Sequence, residues 1–564
     1  MQSAPAPDVA VRLREALGLT HTIAAVLAAR GHDDPAVTRR WLDLRLADLT
    51  PPERMVDREA ASERIADAIK RKERVVVFGD YDVDGITSCA IMTSAIRALG
   101  GDATPLLASR FDGGYGFSDR ALERVLEARP SLVITCDCGS SDHARLEGLR
   151  RAGVDAVVID HHLVPPEPLP VVAFLNPHRP ECGFPFKGLA SCGLALSISA
   201  AVRAKLGATF DLRPLLDLVA LGTVADVAPL EGDNRALVKA GLSRIATAPR
   251  PGIEALAELA GIKPGVAISG DDIGFRFGPR INAPGRLGSP DPSLQLLLTQ
   301  DRDEARALAG KLEQDTRTRR EIEKKIFEQA VLQVGETGQI ERAGIVVGAE
   351  GWNVGVVGIV AARLVERFGV PVVVIGFDGA EGRGSVRGPE GSRLYDALSR
   401  CREALVGFGG HQAAAGVHVA ASHLERLRDL FAQACEGLGA EEGDRGSHVR
   451  GTVAALNDAA LDPRDDLWSV VVDLERLEPC GHGNRSPLVG VFGAEVREAR
   501  VMKGEHLRLS LSWQGRALEA FGFGLAQQSP QVRSRIDLIG QLRRDDYRGR
   551  GAVELRISSV RRGA

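Results

Sequence analysis

The sequence predicts a multidomain α/β protein: a parallel-sheet domain, a long connecting helix, a second and smaller α/β domain, and a C-terminal β-barrel. From about Arg74 to Val227, short β-branched runs alternate with helical stretches, the pattern of a parallel sheet wrapped by helices. After Pro290, DRDEARALAGKLEQDTRTRREIEKKIFEQAVLQV is charged throughout, with Leu308, Leu312, Ile322, Ile326 and Val331 near helical spacing. Towards the C-terminus, LVGVFGAEVREARV, HLRLSLSW, RALEAFGF and AVELRISSV read as short alternating strands, a spacing that suits a small barrel of the OB type.

At 564 residues the chain exceeds one hydrophobic core and divides into roughly three or four domains. The pattern places a helical segment at 1–50, the parallel-sheet domain at 51–300 and the connecting helix at 301–335. The second α/β domain, at 336–440, opens with AGIVVGAEGWNVGVVGIVAARLVERFGVPVVVIG, read as strand, Gly-rich turn, helix, strand. Polar GAEEGDRGSH then leads into the barrel at 447–564. No internal repeat is present.

Composition bounds the function. With 44% hydrophobic and 26% charged residues, the chain has the make-up of a soluble globular protein. Its start lacks a basic stretch followed by an apolar run, and its most apolar stretches are short, so neither secretion nor membrane insertion is expected. Eight cysteines without a C-x-x-C pair suit reduced thiols in a cytoplasm and disfavour a zinc site at Cys182 and Cys192. The net charge of -4 is unlike that of a non-specific nucleic-acid coat protein, so nucleic-acid contacts would need local basic patches or bound metal.

The chemistry concentrates at strand ends. RVVVFGD, SLVITCD and VDAVVID are apolar strands that each stop on an aspartate, and in open α/β sheets the functional crevice lies beyond the strands' carboxyl ends. GDYDVDG sets Asp80, Asp82 and Asp84 at alternate positions just past a strand, where their carboxylates can point the same way and a divalent cation would relieve their repulsion. An EF-hand is disfavoured, because ITSCAIM continues as an apolar helix. DHH (160–162) puts His161 and His162 directly after a strand, placed to ligate metal or meet phosphate. In LLDLVALGTVADVAPL only Asp217 and Asp226 are acidic, and the cost of burying a bare carboxylate argues for a cationic partner for at least one, with a surface-facing Asp at the helix end as the equal alternative.

In their order, GDYDVDG, ITCDCGSSD, VVIDHH and GTVADV resemble the four phosphoesterase motifs of the DHH family. SRFDGGYGFS, LNPHRPECGFPFKGLAS and FGPRINAPGRLG are similar to segments of its RecJ-like exonucleases, and the likeness runs from about residue 20 to 560. The resemblance implies metal ligands at Asp80, Asp82, Asp84, Asp137, His161 and Asp226, with His162 near the scissile phosphate. It implies two divalent ions, Mn²⁺ ahead of Mg²⁺ given the mixed oxygen and imidazole donors, bridged by Asp137 and activating water for in-line displacement.

For substrate, GRGSVRG alternates glycine with Arg383, Ser385 and Arg387, and reads equally as a phosphate site, where glycine lets a backbone approach and arginine forks onto the oxygens, or as a Gly-rich hairpin with solvated arginines. GFGGHQAAAG reads as glycines leading into a helix N-terminus, an anion site with His411 at its mouth. By resemblance, Ser385 and Arg387 grip a 5′ phosphate. Arg110, Arg280 and Asn282 lie in the RecJ-like segments as candidates for strand contacts, and Tyr115 is placed to stack a base. The barrel carries PCGHGNRSP and an arginine-rich end, Arg543, Arg544, Arg548 and Arg550, which reads equally as a basic groove or as a solvated face.

The resemblance therefore implies a 5′ to 3′ single-stranded-DNA exonuclease releasing 5′-mononucleotides in repair and recombination, with single-strand-binding protein and a helicase as partners. The competing readings are a DHH phosphodiesterase for short oligonucleotides or cyclic dinucleotides, and an inactive DNA-binding scaffold. The first would not need the RecJ-like segments and barrel; the second would have lost ligands that are all present here.

Overall fold

The computed structural model describes residues 7–112, 116–263, 265–410, 414–438, 457–545, 548–549 and 551–562. They form two compact units: Thr50–Ala228 with Ala240–Arg445, and Met1–Leu49 with Pro229–Lys239 and Gly446–Ala564.

The first unit contains two sheets. Strands β1 (Arg74–Gly79), β2 (Asp102–Leu107), β3 (Leu132–Cys136), β4 (Asp155–Ile159) and β5 (Ala173–Leu175) form a parallel sheet in the order β2-β1-β3-β4-β5. Val75, Val76, Val77 and Phe78 are all fully buried, as are Leu132, Val133 and Ile134, because both faces of the sheet are covered. After β1 the chain builds outward to β2, then returns to lay β3 on the other side of β1. That reversal opens a crevice at the carboxyl ends of β1 and β3.

A helix of 35 residues, Arg302–Glu336, follows, its N-terminus capped by Asp301, which accepts from the amides of Asp303 and Glu304 at 2.8 Å each. It is roughly 50 Å long. Its early turns lie against helices Pro251–Leu259 and Asp291–Leu298. Ile326, Ala330 and Val334, near its far end, join the core of the second sheet with Ile345, Val347, Val372 and Val374.

That second sheet is mixed, in the order β6-β7-β8-β10-β9, from β6 (Ile345–Glu350), β7 (Val372–Asp378), β8 (Glu381–Arg387), β9 (Gly407–Gly410) and β10 (Ala414–Ala420). Only β6 and β7 run parallel. Here the structure corrects one expectation: GFGGHQAAAG does not lead into a helix but supplies β9 and the start of β10. Small residues permit either conformation, and the ladder from Ala414–Ala420 to β8, with Ala415, Val417 and Val419 turned into the core, selects the strand. His411 lies outside the described residues.

In the second unit β11 (Ala459–Ala460), β12 (Val489–Met502), β13 (His506–Trp513), β14 (Arg516–Gly522), β15 (Arg535–Arg544) and β16 (Val553–Arg562) form a sheet that closes on itself through β12–β15. β12 is long enough to pair on both sides because register shifts at Val491/Ala494 and Val496/Glu498 bend it around the barrel. The N-terminal helices do not stand alone: Leu13, Ile23, Leu27 and Leu42 share one core with Val491, Leu507, Leu509 and Leu538. Arg235 fastens the 229–239 segment there, donating to the carbonyls of Trp41, Leu477, Glu478 and Pro479 and stacking 3.7 Å over the Trp41 ring. Among the described residues no helix is long and apolar enough to cross a membrane.

Candidate metal centre and phosphate pocket

Three aspartates stand one residue past the ladders. The amide of Asp80 donates to Cys136 O at 3.2 Å, that of Asp137 to Ile159 O at 2.9 Å and that of Asp160 to Leu175 O at 3.0 Å. Sheet pairing therefore fixes their backbones before any side chain is considered. Asp137 also adopts a left-handed conformation with φ 63°, uncommon for a residue with a Cβ and typical of functional turns.

GDYDVDG does not continue as extended chain past β1. Asp82 is the N-cap of helix Val83–Ala98, its Oδ1 accepting from Gly85 N at 3.1 Å, and Asp84 lies in the first turn. Carboxylates at a helix N-terminus are favoured by the partial positive charge there, and this arrangement turns Asp84 inward. The closing glycine is required, since a Cβ on Gly85 would lie 2.5 Å from the backbone of Asp80. Asp84 is buried and accepts from the amides of Ser191 (2.7 Å) and Cys192 (3.0 Å), while Ser191 Oγ donates to Asp137 Oδ1 at 3.0 Å.

The groups converge on one imidazole. His161 Nε2 lies 3.3 Å from Asp137 Oδ1, 3.5 Å from Asp226 Oδ2 and 4.0 Å from Asp84 Oδ2, without hydrogen-bonding geometry to any of them. Two sets of potential ligand atoms result, Asp137–His161–His162 and Asp84–His161–Asp226, each within 4.8 Å. Asp226 caps the C-terminus of helix Leu216–Ala225. Asp217, the other acid of that run, makes a two-pronged ion pair with Arg250 at 2.7 and 2.8 Å, so it is Asp226 that faces the cluster.

Electrostatics shows what this cluster lacks. Burial and then the charge of Asp82 push Asp137 well above the ordinary carboxylate range; burial and then Asp84 push Asp226 up to about 8. Burial lowers His161 and raises Asp84. Carboxylate oxygens and an imidazole nitrogen crowded into a largely buried crevice fit a divalent cation such as Mn²⁺ or Mg²⁺, which would reverse each of these shifts.

Asp160 differs. Its Oδ1 accepts from the amides of His161 (2.8 Å) and His162 (3.2 Å) and lies 2.7 Å from His162 Nδ1, while Oδ2 accepts from Ser140 N at 3.0 Å. Burial alone would raise Asp160 and lower His162, yet the bond between them holds Asp160 well below the carboxylate range and lifts His162 to about 9. Asn176 completes the support, donating to His162 O at 2.8 Å. Asp80 stands apart from both ligand sets, its Oδ1 accepting from Gly116 N at 3.3 Å.

Facing chemistry of opposite sign comes from arginines. Arg110 stacks 4.2 Å over the Tyr81 ring, and its buried Nε has no hydrogen-bond partner. Arg286 donates to Gly355 O at 3.0 Å, and burial, then Arg110, lowers it to about 10. Arg387 donates to Ser385 Oγ at 3.0 Å and is lowered by burial and by Arg110. A Cβ on Gly358, in the first turn of helix Val357–Phe368, would approach Ser385 Oγ to 3.0 Å, so both side chains lie over that helix start. Buried, mutually repelling guanidiniums beside a helix N-terminus have the character of an anion pocket.

Other candidates are placed elsewhere. Arg280 is buried and committed to Glu313 at 2.8 Å and to Arg276 O, so it braces the long helix. Asn282 joins two short helices, Gly278–Ile281 and Ala283–Leu287, and Arg383 is exposed on β8. Tyr115 lies outside the described residues. Reading the sequence singled out neither Asp160 as the brace of both histidines nor Arg286; a strand-end position signals the first, and the second lies in FGPRINAPGRLG, the segment from which that reading takes only Arg280 and Asn282.

Comparison with known proteins agrees with this architecture. Residues 74–223 match the DHH family, N-terminal domain, 341–437 the DHHA1 domain and 457–559 the RecJ OB domain. The single-stranded-DNA-specific exonuclease RecJ of Bacillus subtilis (strain 168) is 33% identical over 99% of this chain and 70% of its own. The crystal structure of RecJ in complex with Mn²⁺ from Thermus thermophilus superposes with a TM-score of 0.82 at 30% identity, covering 100% of this chain and 79% of that one. Its Mg²⁺ complex gives 0.75 at 27% identity, over 100% and 78% of the two chains. With its ordered strand-end acids, mixed second sheet and closed barrel, the chain belongs to the RecJ family of DHH proteins.

Proposed function

We propose that the chain is a metal-dependent exonuclease specific for single-stranded DNA, hydrolysing phosphodiester bonds from the 5′ end and releasing 5′-mononucleotides in repair and recombination. The observation that carries this reading is the convergence of Asp84, Asp137 and Asp226 on His161 Nε2. Asp80, Asp82, Asp84, Asp137, His161 and Asp226 would hold the ions, and Asp80 Oδ1 also ties the centre to the segment that begins at Gly116. Bound divalent ions supply an acidified water and charge stabilisation for the leaving oxygen.

The chain's own groups do the rest. Asp160 orients both histidines, and its carboxylate 2.7 Å from His162 Nδ1 favours the protonated ring, a form suited to donate to a phosphate oxygen. Ser191 fixes the rotamer of Asp137. Arg110, Arg286, Ser385 and Arg387 take a backbone or terminal phosphate, and Arg383 meets the strand further out. Contacts with single-strand-binding protein and a helicase, and residence in the cytoplasm, belong to the same reading; eight free cysteines, seven of them buried, support a reducing compartment.

The test compares 5′-labelled and 3′-labelled single strands with Mn²⁺, Mg²⁺ or EDTA, using Asp137→Asn as the control. Release of labelled mononucleotide from the 5′ end, lost with EDTA and in the variant, is expected. Activity that survives both would reject the mechanism, and turnover confined to di- and trinucleotides would move the enzyme to the oligonucleotidase reading.

A further inference from the structure

The segment that leaves β5, LNPHRPECGFPFKGLAS (175–191), supplies neither a metal ligand nor an arginine of the phosphate pocket, yet it lies against the histidines. Asn176, only 1% exposed, sets its course. The Asn176 Nδ2 donates to His162 O at 2.8 Å and to Ser140 Oγ at 3.3 Å, and its Oδ1 accepts from His178 N at 2.8 Å. One amide side chain therefore separates His178 from the turn that carries His161 and His162.

Lys187 closes the segment on itself. Its Nζ donates to Pro177 O and Cys182 O at 2.7 Å each, so the ammonium sits beside the peptide that leads into His178. Phe184 and Leu189, both buried, anchor the returning arm. The loop is thus built around a cation and holds His178 at its exposed edge.

The other charges of the region cancel. Arg179 pairs with Asp57 at 2.6 Å and with Glu181 at 2.5 Å, and Asp160 lies 2.7 Å from His162. Lys187 spends two of its three N–H groups on carbonyls and has no ion-pair partner among the described residues. The His178 ring makes no hydrogen bond among them either; only its backbone amide does. Burial, then the charges of His161, Lys187 and His162, hold His178 below the ordinary imidazole range, which places those three groups within electrostatic reach of its ring.

The cluster therefore has two sides. Asp84, Asp137 and Asp226 form the acidic one, which suits cations; His162, His178 and Lys187 form a basic one, whose unspent N–H groups suit phosphate oxygens. With a terminal phosphate in the arginine pocket and the scissile phosphate at the metal ligands, the next phosphate along the strand falls to the basic side. We propose that His178 and Lys187 form a subsite for the phosphate that follows the scissile one, on the part of the strand that remains after cleavage. The subsite grips backbone and not bases, so it is indifferent to sequence. Which phosphate it takes rests on the 5′ exonuclease reading; the unspent donors beside His162 rest on geometry alone.

The test uses the full chain with Mn²⁺ and two 5′-phosphorylated trinucleotides of one sequence, one of them with an uncharged methylphosphonate at its second internucleotide linkage. Hydrolysis at the first linkage leaves that single charge as the difference between them. The wild type prefers the charged substrate by about tenfold in kcat/KM, chiefly through KM, the scale of two partly exposed ion pairs. His178→Ala and Lys187→Gln each shrink this preference, and the double variant abolishes it. Arg179→Gln, which loosens the same segment without removing a phosphate contact, slows both substrates alike and keeps the preference, so a merely structural role of the loop is told apart from contact with the strand. A preference that survives in the double variant, or a wild type that cleaves both substrates equally well, overturns the subsite and leaves the exonuclease reading intact. If the wild type cleaves neither, that reading fails, and the affinities of the two trinucleotides take over as the measure: tighter binding of the charged one, lost in the double variant, keeps the subsite, and equal binding overturns it.

Discussion

Both units bury aspartates, and the two sets behave in opposite ways. In the second unit Asp465 accepts from Thr22 N and Thr22 Oγ1 at 2.7 Å each and from His21 N at 3.0 Å, and against burial these bonds hold it below the ordinary carboxylate range. Asp458 is likewise held down by Arg30 and Leu488 N against burial. In the first unit Asp84, Asp137 and Asp226 are pushed up by burial, and the neighbours of each include other carboxylates that add to it. Burial does not distinguish a functional acid from a structural one; the supply of donors does. Where donors suffice, the acid welds loops together. Where they run short, the acids suit a cation.

Removing an acid from each set tests this contrast. Asp137→Asn abolishes turnover, and it also abolishes the rise in melting temperature that Mn²⁺ gives the wild type, worth about 2.7 kcal/mol at a metal concentration a hundredfold above Kd. In EDTA the same variant melts higher than the wild type, because one member of a repelling set is gone. Calorimetry with and without metal reads both; a variant less stable than the wild type in EDTA would break the comparison. Asp160→Asn, which touches both histidines but is satisfied by its donors, lowers activity about 10- to 100-fold with a smaller loss of metal affinity, read by metal titration.

Asp465→Asn gives the smallest effect and acts on stability alone. It costs about 1–3 kcal/mol at neutral pH, the scale of hydrogen bonds to a charged group. The sign follows from the depressed folded-state value: the contribution of Asp465 is complete above the ordinary carboxylate value and drains away as pH falls through the folded one. Denaturant melts of variant and wild type should therefore converge in acid, with nuclease activity unchanged. A gap that persists there would assign the stabilisation to packing.

Much of this was legible in the sequence, and the reasons are local. An apolar run that stops on an acid, as in VVVFGD or LVITCD, reveals both the strand and the rim it feeds. The long helix shows in its periodicity. What escaped depends on residues far away in the chain. Arg286 matters through Gly355 and Arg110, the choice of strand over helix at Ala414–Ala420 is made by β8 and β9, and the core shared by Leu13 and Leu507 joins segments almost 500 residues apart. Asp80 illustrates a finer limit: the motif names the residue, but only the fold shows that Oδ1 accepts from Gly116 while Oδ2 is buried without a hydrogen bond.

The backbone of Asp137 carries a practical corollary. At φ 63° few side chains rest without strain, and asparagine shares with aspartate and glycine an ease in that conformation which alanine and glutamate lack. Asparagine is therefore the replacement that silences hydrolysis while leaving the main chain undisturbed, and it would turn the enzyme into a snare for capturing an intact strand in crystals or on beads.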